Sequence, residues 1–108
     1  MEMKMYIVET TRTVWENGNI TDKIDFGKSY FTDFAEAKHR AEVNHKTGMD
    51  LLISSKDANG KGNEVSTDVW LWEYVLIGNE FFHNKLRGHY DSRDAETAPV
   101  GLVFSHCE

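Results

Sequence analysis

The segment Thr67-Asp68-Val69-Trp70-Leu71-Trp72-Glu73-Tyr74-Val75-Leu76-Ile77 constrains this chain more than any other. β-branched and aromatic residues are so dense in it that only a strand suits them. Strand side chains alternate, so Val69, Leu71, Val75 and Ile77 share one face and Trp70, Trp72, Tyr74 and Leu76 the other. Both faces are apolar and both want cover. A chain of 108 residues is one domain and can bury a core of its own. A second covered face points to a partner.

The flanking sequence supplies other strands and one helix. Residues 4–15 read as a strand, and Asn17-Gly18 is a strong two-residue hairpin signal, because both residues tolerate positive φ. Pairing across it sets Trp15 beside Ile20. The return strand, about 19–30, alternates with Ile20, Ile24, Phe26 and Tyr30 on one face, and Gly27 suggests a bulge. Asp33 and Glu36 have capping-box spacing at a helix start. That helix is expected to run to Lys46 and to stop at Gly48, with Phe34, Ala37, Ala41 and His45 as its inner stripe.

A further strand is expected at 50–56, a turn at 57–63, the long strand at 64–77 and a turn at Gly78-Asn79. Residues 80–90 read as a short strand ending before Gly88, with a helix as the alternative. A polar loop spans 91–99, and Val100–Phe104 reads as a last strand or docked tail. The resulting fold class is α+β: an antiparallel sheet of four to six strands, order β-β-α-β-β with further C-terminal strands, and one main helix on one face. The shallow Ala37/Ala41 stripe is expected to sit over Trp70, Trp72 and Tyr74, leaving the aliphatic face to a partner. Glu73, the one charge on that aliphatic face, needs a partner of its own if buried.

Charge narrows the function classes. Net charge is −6, made of −1 over residues 1–56 and −5 over 57–108. Between Asp57 and Asn84 stand five acids, Asp57, Glu64, Asp68, Glu73 and Glu80, against the single base Lys61. Phosphate backbones call for clustered Lys and Arg, so direct nucleic-acid binding is not expected. Basic proteins, including those that hold nucleic acid, are the favoured partners. No apolar run approaches the roughly 20 residues that span a bilayer, so no membrane role is expected. The N-terminus lacks the pattern of a signal peptide, and the single cysteine, Cys107, can form no internal disulfide. A reducing cytoplasm is the expected compartment.

Motifs for chemistry are weak. His39, Glu42 and His45 are not the H-E-x-x-H zinc pattern: their histidines lie about 240° apart around a helix and cannot share a metal. His45 reads as a core histidine with one hydrogen bond. Asp57–Asn63 only faintly resembles a calcium loop, and Asn59-Gly60-Lys61-Gly62 lacks the helix that a P-loop leads into. His106 and Cys107 lack an orienting third group. No cofactor, metal or catalytic residue is assigned.

The leading expectation is therefore a non-catalytic acidic protein that acts by protein contact, as a homodimer, through Asp57, Glu64, Asp68, Trp70, Trp72, Glu73, Tyr74 and Glu80. In size and charge, though in no motif, it resembles phage and mobile-element inhibitors of nucleic-acid-binding host defence proteins, the anti-CRISPR class. The alternative is a small enzyme or ligand binder with His83, His89, Asp91 and Arg93 around a pocket near residues 83–94.

Overall fold

The computed structural model describes residues 3–60 and 62–93. Strand β1 (Met3–Glu16) turns at Asn17-Gly18 into β2 (Asn19–Phe31). Helix α1 (Phe34–Asn59) follows, then β3 (Glu64–Ile77) and β4 (Glu80–Asp91). The four strands form one antiparallel sheet in the order β2-β1-β3-β4. This is the α+β architecture of an antiparallel sheet under one helix. The smallest dimension, 19 Å, suits a helix layer on a sheet layer.

Several local expectations hold. Asn17 and Gly18 both have positive φ (54° and 79°), and Trp15 pairs with Ile20. The Asp33 side chain accepts from the Glu36 backbone N–H at 3.1 Å, capping α1. A strand does begin at Glu80 after the Gly78-Asn79 turn, but the expected end before Gly88 is corrected: it runs on to Asp91.

Others are corrected. Gly48 does not end the helix; α1 runs through it for 26 residues, and the strand expected at 50–56 is its last turns. Asp57, Ala58 and Asn59 are helical, so the turn expected at 57–63 opens as the end of α1 and is neither a hairpin loop nor a calcium loop. Gly60, at φ 86°, ends the helix and donates its N–H to the Lys56 carbonyl. The buried stripe is Ala37, Ala41, His45, Gly48, Leu52 and Ser55, spaced by threes and fours throughout. Periodicity, not the glycine, marks the true length.

β2 does not keep Ile20, Ile24, Phe26 and Tyr30 on one face. Register shifts beside Gly27 and before Trp15 move Ile24 onto the helix side, opposite Arg12, while Ile20 and Tyr30 stay on the other side, opposite Trp15 and Ile7. The Val100–Phe104 segment and residues 94–99 of the expected loop lie outside the described residues.

The largest correction concerns which face of β3 is inside. The core is Tyr6 and Val8 of β1, Ala37 and Ala41 of α1, Val69 and Leu71 of β3, and Tyr90 of β4. The helix thus covers the odd-numbered aliphatic face. Trp70, Trp72 and Tyr74 lie on the opposite side. The physical reason is proximity. A Cβ built on Gly48 would stand only 2.6 Å from Thr67 Cβ, so helix and sheet touch backbone to side chain there. Indole rings have no room under such a contact; medium-sized aliphatic side chains do.

Candidate interaction face

Register fixes what shares the sheet face opposite the helix. Trp15, Thr13, Thr11, Glu9, Ile7, Met5 and Met3 of β1 pair with Glu64, Ser66, Asp68, Trp70, Trp72, Tyr74 and Leu76 of β3. Across the other edge of β3, Asp68 pairs with Asp91 and Trp70 with His89. The result is a long aromatic row, Trp15 to Tyr74, interrupted by a polar step. Trp70, Trp72 and Tyr74 are half-buried. Among the described residues no helix or strand packs over this face.

The polar atoms of the face are organised by the rings. The His89 ring stacks on Trp70 with centroids 5.0 Å apart and planes 2° from parallel. His89 Nε2 lies 2.8 Å from Asp68 Oδ1, which holds that stack in place. The Trp72 indole N–H donates to Glu9 Oε1 at 3.2 Å, and Lys28 Nζ sits 4.0 Å from the other Glu9 oxygen. At the far end the Trp15 indole N–H donates to Ser66 Oγ at 2.9 Å, and the Arg93 guanidinium lies 4.2 Å above the Trp15 ring. Amphipathic rings held by such bonds present a fixed surface with little rotamer freedom left to lose on contact.

The structure brings together only part of the set assigned from sequence. Asp68, Trp70, Trp72 and Tyr74 share this face. Glu64 is on it too but is buried, and Arg93 Nη2 reaches its carboxylate at 3.3 Å. Glu73 points the other way. It is fully buried beneath the helix side of the sheet, with Arg87 Nη1 at 2.5 Å and Lys4 Nζ at 3.6 Å, so its need for partners is met inside the fold. The same Arg87 lies 4.4 Å over the Phe34 ring, tying the buried carboxylate to the start of α1. Asp57 is exposed near the end of α1, and Glu80 is exposed at the β3–β4 turn. Thirteen residue steps along β3, roughly 40 Å, separate its two ends. The five acids therefore form no single patch.

In the alternative pocket near residues 83–94, described side chains have partners of their own. His89 is engaged with Asp68 and Trp70, and Arg93 with Glu64 and Trp15. The His83 side chain lies outside the described residues. His39 is exposed on α1 while His45 is completely buried, as their angular separation requires. Neither ring nitrogen of His45 has a hydrogen-bond partner, in place of the single bond expected. Among the described residues no three metal-ligating side chains converge, and no helix is long and apolar enough to cross a membrane.

Sequence reasoning missed Trp15, Glu9 and His89 as members of the aromatic face. The Asn17-Gly18 hairpin placed Trp15 on a strand, but only the β1–β3 register sets it in line with Trp70. No family model, no characterised protein and no solved structure matches this chain.

Proposed function

We propose that this is a non-catalytic binding protein that docks a basic protein on the sheet face opposite the helix. The observation that carries the reading is the Asp68–His89–Trp70 arrangement, a fixed stack in line with Trp72 and Tyr74 on the sheet face opposite the helix. Aromatic anchors of this kind dominate interface energetics. A net charge of −6 favours a basic partner and speeds encounter with it. Proteins that hold nucleic acid present such basic channels, and occupying one would make the chain an inhibitor of the anti-defence kind.

The test is affinity capture from the native host, then reconstitution with the purified captured protein. The partner should be basic, its binding should weaken with salt, and Trp70→Ala should weaken binding by about tenfold or more. Salt-independent binding that ignores Trp70→Ala would overturn the proposal. Light scattering is the companion measurement: a homodimer that Trp70→Ala dissociates would assign the face to a second copy of the chain.

A further inference from the structure

We propose that the groove between α1 and the β1–β2 hairpin, on the opposite side of the sheet from the aromatic face, binds the phosphate dianion of a small phosphate monoester. The helix lies mainly along β3 and leaves the β1–β2 half of its side of the sheet uncovered. There a groove of about 260 Å³ opens, lined by Arg12 and Thr10 of β1, Phe26 and Ser29 of β2, and Arg40 and Asn44 of α1, among others.

Four observations point to an anion. Both charged residues of the lining are arginines, and no carboxylate lines the groove, in a chain where acids outnumber bases. Neither Arg12 nor Arg40 makes an ion pair with any described residue, whereas Arg87 and Arg93 both do. The Arg12 Nε–H is buried with no acceptor, an unmet donor of a kind folded proteins seldom retain. The Arg12 guanidinium carbon lies 4.3 Å from the centre of the Phe26 ring, a cation–π contact that uses none of its N–H groups in a hydrogen bond.

Charge and size then select the ligand. Two guanidiniums without counter-charges match a dianion better than a single carboxylate. A phosphate monoester carries close to two negative charges at neutral pH and accepts the forked Arg geometry. Thr10 accepts from the Asn44 amide at 3.1 Å, which leaves the Thr10 hydroxyl proton as a further donor. The Gly27 backbone, at φ 88° and with nothing within 4 Å of a built Cβ, keeps the β2 side open. Phe26, 51% exposed, offers its ring to the apolar end of such a molecule.

Phenyl phosphate, inorganic phosphate and acetate are the probes, titrated into the full chain by calorimetry with 31P line widths as a second readout. Phenyl phosphate should bind saturably and more tightly than inorganic phosphate, with acetate weakest. Arg40→Gln, an exposed position that leaves the fold intact, should weaken phenyl phosphate about tenfold, the worth of one charged hydrogen bond. Arg12→Gln should do at least as much. Lys38→Gln, an exposed cation outside the groove, should change nothing. The proposal fails if no saturable binding is seen, if Arg40→Gln binds like the unaltered chain, or if Lys38→Gln loses as much. Acetate binding as tightly as phenyl phosphate would overturn the dianion assignment. Arg40→Gln decides the matter even if Arg12→Gln does not fold.

Discussion

His45 is the residue whose chemistry is most at odds with its surroundings. Its imidazole is fully buried in the helix stripe, its ring 4.9 Å from that of Tyr90, and both its nitrogens lack hydrogen-bond partners. Burial pushes its pKa below the ordinary 6.5. Burial, and secondly the charge of Glu42, pushes the neighbouring Tyr90 phenol up, so both groups stay neutral. The consequence for stability has a definite sign. Above pH 6.5 the ring is neutral folded and unfolded, and nothing is lost. Below it the unfolded chain takes up a proton that the folded chain resists, so stability falls by up to about 1.4 kcal/mol per pH unit until the folded pKa is reached. His45→Leu, of similar volume, removes that term. Urea midpoints measured from about pH 7.5 down to 5 should show the variant gaining on the parent only below pH 6.5. A difference that is flat across that range would show that His45 is not the titrating group.

At the scale of the element, α1 shows where local signals mislead. A glycine followed by Met49-Asp50 and an apolar pair reads as a helix stop and a new strand, yet the helix continues. Gly48 is there for contact, because its missing side chain lets α1 lie against Thr67. Gly48→Ala should therefore destabilise by about 1–3 kcal/mol, although alanine is the better helix former by roughly 1 kcal/mol. Thr67→Gly removes the atoms that clash, so in the double variant Gly48→Ala should cost less than it does alone. A denaturation cycle over the four proteins measures that coupling; simple additivity would show that the contact is not what fixes the glycine. The same contact explains what was legible in the sequence and what was not. Turn chemistry at Asn17-Gly18, the Asp33 cap and the composition of β3 are local, and each was readable. Which face of β3 lies inside depends on how closely α1 approaches. The shallow Ala37/Ala41 stripe suggests space for large rings, whereas with Gly48 it brings the helix too near for them. The register shifts beside Gly27 likewise reassign Ile24 to the other side, and alternation alone does not reveal them.

At the scale of the whole molecule, the described residues form two layers, and the two sides of the sheet differ. One side of the sheet carries the helix and, beside it, the Arg12–Arg40 groove; the other carries the aromatic row. This division changes what the acidic charge can do. Glu73 and Glu64 are used up by Arg87, Lys4 and Arg93, so neither is available to steer a partner. Asp57 and Glu80 lie near opposite ends of β3, distant from the stack at Trp70. Asp68 alone among the five acids combines partial exposure with a place beside the rings, where it holds His89. Charge reversal should therefore discriminate sharply by position. Asp68→Lys should slow association with the basic partner and reduce its salt dependence, and should raise the dissociation rate as the His89–Trp70 stack loosens. Asp68→Asn, which keeps the shape and a hydrogen bond to His89, should lose association rate with little change in dissociation. Asp57→Lys and Glu80→Lys should leave both rates within about twofold, because over such distances a Debye length of about 8 Å screens them. Surface plasmon resonance with the reconstituted partner reads both rates. Equal losses from Asp57→Lys and Asp68→Lys would show that net charge, not this face of the sheet, recognises the partner.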